Sequence, residues 1–491
     1  MAIRITPKLF QRFSQITRPL NSSPTTLPIL PLNFDEKPDS FLIKQPQNEN
    51  PSSTLNLDDT QKLFSSFSTT KLIKSILNLS MASIDPIVEM GIWIMRSKLI
   101  EIPVFRQAIL GSVKHSFYEQ FVAGKDIKET SLIVEKIYEA GLRGMLNYGL
   151  EHAYDNLSCD QNYKTFLNTI ESTKLFPASS ISFVIVKISA ICPMQLLERM
   201  SDLLRWENQN PSFKLPWKQN TLPIFSKSSP LYHTLKKPKP LTNEEEKDLE
   251  LARQRLTKLC QRCLDLNVTL TIDAEDTKIQ PGIDYLTYNS SIGFNRLGDH
   301  KPVVYNTIQA YLKDAKERLF LATNAAEKMG LPIGFKLVRG AYISSERKLA
   351  NSLGFDSPIH DTIQDTHNCY NECASYMIDK IVDGSFAAVL ATHNIDSGQL
   401  AAKKAKDLGI GRENERLEFA QLYGMSEALS YGLKNAGFQV SKYLTFGPVE
   451  EVIPYLLRRA EENRGMLSSS RLDRQLMGME LKRRMKAGFG L

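Results

Sequence analysis

No stretch of this chain reaches the roughly 18 uninterrupted apolar residues that a membrane-spanning helix needs. The nearest candidate, IDPIVEMGIWIMRS, is broken by Asp85 and Glu89. Cysteine is scarce: six in 491 residues, at Cys159, Cys192, Cys260, Cys263, Cys369 and Cys373, too sparse for a secreted disulfide scaffold and consistent with a reducing compartment. Cys260-Gln-Arg-Cys263 is a CxxC without a second CxxC, and Cys369 and Cys373 share one face of a helix-like segment, so no metal site is expected. The net charge of +7 is spread over 61 basic and 54 acidic residues without a dense basic block, which argues against a nucleic-acid partner. There is no GxGxxG cluster, which removes the main signature of a dinucleotide-binding doubly wound sheet.

The first acid is Asp35. Before it, Arg4, Lys8, Arg12 and Arg18 recur at roughly helical spacing among hydroxyl and apolar residues, the character of a transit peptide over 1–34. Residues 35–60 are polar and proline-punctuated and are expected to be a disordered linker. Residues 61–175, including SLIVEKIYEAGLRGMLNYGLEHAYD, are expected to form a helical N-terminal region. Within it, the Ile-, Met- and Trp-rich segment around Asp85 and Glu89 fits a membrane surface or a buried interface, and burial is the expectation.

From residue 176 onward short β-branched runs alternate with helical periods: FVIVKIS, VTLTID, VVYNTIQ, GFKLV, AAVLATH, LEFAQL and FQVSKYL. This rhythm predicts a parallel α/β sheet. Nearly every run ends in a polar residue: Lys187, Asp273, Gln309, Lys336 to Arg339, Thr392 with His393, Gln421 and Tyr443. Polar groups at the C-terminal ends of many strands are the mark of a (β/α)₈ barrel, here distorted, with seven strands legible and an eighth unplaced. A Pro-, Ser- and Lys-rich stretch over about 206–250 reads as an insertion. Lys187 follows an apolar strand, where an unpaired ammonium would be costly to bury, and Asp273 at the next strand end is its natural partner. A strand-end lysine, Lys187 or Lys336, also suits a cofactor-free Schiff-base lyase or aldolase.

The set VKISA, TIDAED, YNTIQAYLKD, KLVRGAY, ATHN, LYGM and YLLRRAEEN, in that order, together with HSFYEQFVAGK near residue 112, resembles the motifs of proline dehydrogenases, flavoenzymes of proline catabolism. The resemblance implies FAD, oxidation of L-proline to Δ1-pyrroline-5-carboxylate by hydride transfer to flavin N5, electron delivery to a quinone, and peripheral association with the mitochondrial inner membrane on the matrix side. It implies catalytic roles for Asp273 and Lys336, the lysine standing where bacterial members carry arginine, and substrate contacts from Lys187, Tyr443, Tyr455, Arg458, Arg459 and Glu151. Glu151 corresponds to an acid that pairs with a substrate arginine and gates the pocket. Ala274, Gln309, Arg339, Gly340, Ala341, Thr392, His393, Gln421 and Glu462 correspond to flavin contacts, and the bulk of Tyr443 to a preference for proline over hydroxyproline. The segment YLLRRAEEN, on this reading, is a helix lying across the mouth of the pocket.

Overall fold

The computed structural model describes residues 54–97, 102–296, 301–465 and 467–488. The transit segment expected over 1–34 and most of the linker lie outside the described residues.

Eight parallel strands close a barrel in sequence order: β1 (Arg143–Tyr148), β2 (Ile181–Val186), β3 (Thr269–Ile272), β4 (Val304–Gln309), β5 (Ile333–Val338), β6 (Phe386–Ala391), β7 (Leu417–Leu422) and β8 (Val440–Phe446). The last strand pairs with the first in register from Arg143 against Ser441 to Tyr148 against Phe446. Seven strands fall where the β-branched runs predict. The eighth is β1, inside the region expected to be helical. That expectation needs correction, because RGMLNY follows the helix Ile127–Glu139 after a single turn at Gly141 and supplies only a short, glycine-containing apolar run.

Strand alternation sorts the side chains. Met145, Phe183, Ile185, Tyr305, Ala387, Val389 and Ala420 form one apolar cluster inside the barrel, while Leu146, Val184, Leu270, Ile308, Phe335, Leu390, Phe419 and Leu444 belong to the larger cluster beneath the helices. Gly334 is the small partner that this interior demands: a Cβ there would stand 2.5 Å from the ring of Tyr305. Continuing the period of two beyond Phe183 and Ile185 brings Lys187 to the C-terminal mouth of the barrel.

The insertion is narrower than its composition suggests. One helix runs through Gln209 (Met194–Gln209) and the next starts at Asn243, opened by a capping box between Thr242 and Glu245. The acidic run NEEEKDLE is therefore helix, and the irregular part spans 210–242. It is tied to the barrel by Ser229, which donates to Asp314 Oδ2 at 2.6 Å, and by the Gln219 amide, which donates to the Tyr285 hydroxyl at 2.9 Å.

The helix Asp85–Arg96 buries Val88 but leaves Met90 and Trp93 exposed, so the expectation of burial fails over much of its described surface. At the C-terminal end the helix Val449–Gly465 packs Val452, Tyr455 and Leu456 with Leu79, Tyr118, Phe121 and Met425. Among the described residues no helix is long and apolar enough to cross a membrane.

Candidate active site

A line of alternating charge runs across the barrel mouth. Arg458, from the helix Val449–Gly465, grips the Glu151 carboxylate with two N–H groups, one of them 3.0 Å from Oε2. Glu151, three residues past β1, lies 3.9 Å from Lys187 Nζ, and Lys187 lies 3.4 Å from Asp273 Oδ2. Asp273 then accepts from Lys336 Nζ at Oδ1 and from the Tyr443 hydroxyl at Oδ2, the latter at 2.8 Å. Lys336 also sits over the Tyr443 ring, 5.3 Å from its centroid. The sequence reading gave Asp273 to Lys187; the fold gives it to both lysines, with Lys336 the closer.

These groups are buried or partly buried, and their pairing offsets the cost of burying charge. Burial alone would push the Glu151 carboxyl up, but Arg458 and Lys187 outweigh it and hold it at about 2. Asp273 behaves alike: burial opposes ionisation, and Lys336 and Lys187 bring it down to about 2. Burial works to discharge Lys187, and the neighbouring Tyr342, Asp273 and Glu151 reverse the balance and raise it. For Lys336 burial wins and lowers the ammonium against the pull of Asp273. Along this line Lys187, Lys336 and Arg458 are in contact with Glu151 and Asp273, and the buried Glu275 acts on Lys187 from beside it.

Beside this line lies a second cluster. Arg339 donates through Nε to His367 Nδ1 at 3.0 Å, and through its terminal nitrogens to Thr392 Oγ1 at 2.6 Å and Ser397 Oγ at 2.8 Å, while its guanidinium stacks 4.4 Å from the Tyr370 ring centroid. Ser397 belongs to the first turn of the helix Ile395–Asp407, capped by Asn394. An arginine fork, two hydroxyls and a helix N-terminus together form a donor set for a diphosphate. The turn approaching it is shaped by Gly340, at φ +135°, where a Cβ would stand 2.4 Å from the Tyr311 ring. Ala341 beside it is half-buried. This donor set fits the pyrophosphate of an FAD.

The remaining expected residues fall around the same mouth. Ala274 is half-buried between Asp273 and Glu275. Gln309 donates to the Glu275 carbonyl at 2.8 Å. Gln421 donates to the Thr392 carbonyl at 3.3 Å and accepts from Ser430 at 2.9 Å. His393 Nε2 accepts the Leu422 amide at 3.0 Å, and burial, then Arg459 and Lys442, push the ring down to about 3, so it stays neutral. Arg459 is buried, with its guanidinium 5.1 Å from the Tyr455 ring centroid. Tyr455 places its hydroxyl 3.5 Å from the Phe121 carbonyl, on the side of the helical region. The side chain of Glu462 lies outside the described residues.

Sequence reasoning passed over Glu275, two residues beyond Asp273 and therefore on the same face, and Tyr342, the last residue of KLVRGAY. Among the described residues no three His, Cys, Asp or Glu side chains gather to hold a metal ion, and all six cysteines are free and buried.

The family model described as Proline dehydrogenase matches residues 135–472. Two Arabidopsis thaliana proteins, Proline dehydrogenase 2, mitochondrial, and Proline dehydrogenase 1, mitochondrial, are each 55% identical to this chain, over 483 residues (98% of both chains) and 480 residues (97% of this chain, 96% of the other). A Bos taurus protein, Hydroxyproline dehydrogenase, is 30% identical over 445 residues, 86% of this chain and 91% of its own. The crystal structure of proline utilization A from Bdellovibrio bacteriovorus, inactivated by N-propargylglycine, has a TM-score of 0.57 at 18% identity and covers 83% of this chain and 38% of that one, a likeness of fold. The match spans the barrel and its closing helix, and the near full-length relatives cover the rest: the chain belongs to the proline dehydrogenase family.

Proposed function

We propose that the protein is an FAD-dependent enzyme that oxidises L-proline to Δ1-pyrroline-5-carboxylate, the first step of proline catabolism. The observation that carries the reading is the buried line Arg458–Glu151–Lys187–Asp273–Lys336 across the barrel mouth, whose arginine and Lys187 would meet an incoming carboxylate. Arg458, Arg459 and Lys187 would receive the carboxylate, with Tyr443 and Tyr455 closing an apolar slot around the ring. The bulk of Tyr443 favours proline over hydroxyproline.

In the reaction a hydride leaves C5, the lone pair of the neutral ring nitrogen closes the C=N bond, and the N–H proton is released to give the imine. Bound FAD would supply the hydride acceptor. The chain's own contribution is alignment and fixed charge: Asp273 holds Lys336 and Tyr443 in place, and Lys336 offers a buried cation at the mouth. Arg339, Gly340, Ala341, Thr392 and the start of the helix Ile395–Asp407 would hold the cofactor's diphosphate side, with Ala274, Gln309, His393, Gln421 and Glu462 along the rest of it. A Schiff-base lyase is disfavoured by the family, and neither lysine stands free as a nucleophile: Lys187 is held charged among carboxylates and Lys336 is bonded to Asp273.

The proposal includes mitochondrial residence at the matrix side of the inner membrane, with a quinone as electron acceptor. The acid-free first 34 residues and the exposed Ile73, Leu77, Met90 and Trp93 support targeting and surface association. Anaerobic addition of L-proline to the purified protein should bleach its yellow flavin absorbance; a colourless protein, or a spectrum indifferent to proline, overturns the proposal.

A further inference from the structure

The turn that carries Glu151 is held from beneath by a second set of contacts. His152 adopts a left-handed backbone, φ 55°, one of four non-glycine residues among those described to do so. Such a conformation is strained for a residue bearing a Cβ and persists where its surroundings enforce it. Here the enforcement is visible. The His152 amide donates to Ser189 Oγ at 3.3 Å, and the Ala153 amide to the Ser189 carbonyl at 2.7 Å. Ser189 Oγ donates to Glu275 Oε2 at 2.7 Å, and the Ser189 amide to Glu275 Oε1 at 3.3 Å. The His152 imidazole closes the loop, with Nε2 3.6 Å from Glu275 Oε2. Glu275 is fully buried and fixed by its own backbone, its amide donating to Gln280 and its carbonyl accepting from Gln309.

We infer that His152 is a positioning residue for substrate binding: paired with Glu275, its imidazolium fixes the turn that aims Glu151 at Arg458 and so presets the arginine for a carboxylate. The inference rests on the proposed carboxylate role of Arg458. The charged groups that face His152 are Glu275 and Asp276 from the loop after β3, Glu151 from its own turn, and Lys187 from the end of β2. Burial alone would discharge the ring, yet Glu275 and Glu151 outweigh burial and Lys187 and raise it. The sign follows: the ion pair is complete below the ordinary histidine range and is lost as pH rises through the raised value.

The test uses the flavin-loaded full chain and cyclopentanecarboxylate, which keeps the ring and carboxylate of proline but has no amine to titrate between pH 6 and 9. Its dissociation constant is measured by calorimetry for wild type, His152→Asn and His152→Lys. Asparagine tolerates the left-handed turn without charge, and lysine keeps a charge throughout the range. Wild type should bind about two- to fivefold more weakly at pH 9 than at pH 6, the range expected of one partly exposed ion pair. His152→Asn should be weak and flat with pH, and His152→Lys tight and flat. A wild-type curve without the inflection, or an Asn variant that follows wild type, overturns the inference. Should the Asn variant fail to fold, the wild-type and Lys curves decide alone. Bleaching by proline with a flat wild-type curve would sink the role of His152 and leave the proposed reaction standing.

Discussion

The two ends of the barrel bury charge in different settings. At the N-terminal end Glu418, on β7, accepts from the Ser441 hydroxyl and lies 3.6 Å from Arg143; Ser441 shares a 2.7 Å hydrogen bond with Ser182. Lys301, Arg416 and Glu415 lie within electrostatic reach of the same cluster. At the C-terminal end the contacts run in a line from Arg458 on the closing helix through Glu151, Lys187 and Asp273 to Lys336, with Glu275 within reach of Lys187. One cluster is tied to hydroxyls on the strands themselves and the other reaches across the mouth to a helix outside the barrel, although the same strand alternation builds both. A perturbed charge cluster at the C-terminal mouth of a barrel is where a ligand site is expected, whereas one at the other end serves the fold.

The comparison breaks most readily at Arg458. Arg458→Met should raise the proline KM by about 100-fold or more, since removing one partner of a buried bidentate contact costs several kcal/mol, while the flavin stays bound. Glu418→Gln at the N-terminal end should leave that KM within about twofold, on the principle that distant sites act independently. Steady-state kinetics with flavin quantitation checks both, and equal KM effects at the two ends would erase the distinction.

A smaller effect comes from Glu346, in the first turn of the helix Ile343–Leu353. Its buried carboxylate accepts from the Thr277 amide at 2.6 Å and the Thr277 hydroxyl at 2.5 Å, and so joins the loop after β3 to the helix after KLVRGAY. Burial pushes this acid up to about 7, with the Thr277 hydrogen bonds opposing. The folded state therefore keeps a proton that the unfolded chain releases, and stability falls as pH rises from the ordinary carboxyl range to about 7. The fall should be on the order of 2 kcal/mol in urea unfolding, and Glu346→Gln should flatten it. Smaller still, Tyr443→Ser should open room beside the ring and shift the ratio of kcat/KM for hydroxyproline over proline upward by about tenfold, the scale of one filled or emptied pocket contact. An unchanged ratio would remove Tyr443 from substrate choice.

Much of this architecture was legible in the sequence, for identifiable reasons. Seven strands announced themselves because β-branched runs such as FVIVKIS and AAVLATH are bounded by helical periods, and the polar residue ending each run located the mouth. β1 escaped because RGMLNY is short, contains Gly144, and follows directly on a helix whose period runs into it. The insertion was drawn too wide because NEEEKDLE reads as a charged loop until Thr242 and Glu245 are seen as a capping box. Lys336 was read as a cation for the cofactor without its hydrogen bond to Asp273, since a contact between β3 and β5 across the barrel leaves no trace in local spacing. The exposed Met90 and Trp93 show the limit of an amphipathic pattern, which marks an apolar face without saying what covers it.

The account stands or falls on whether the cations at the mouth read the substrate's carboxylate. The direct measurement compares kcat/KM for L-proline and for L-prolinamide, which lacks that charge, in wild type and in Arg458→Met. Wild type should favour proline by about 100-fold or more, and the variant should lose most of that preference, as expected for a buried charge contact. A preference that survives intact in Arg458→Met would contradict the account.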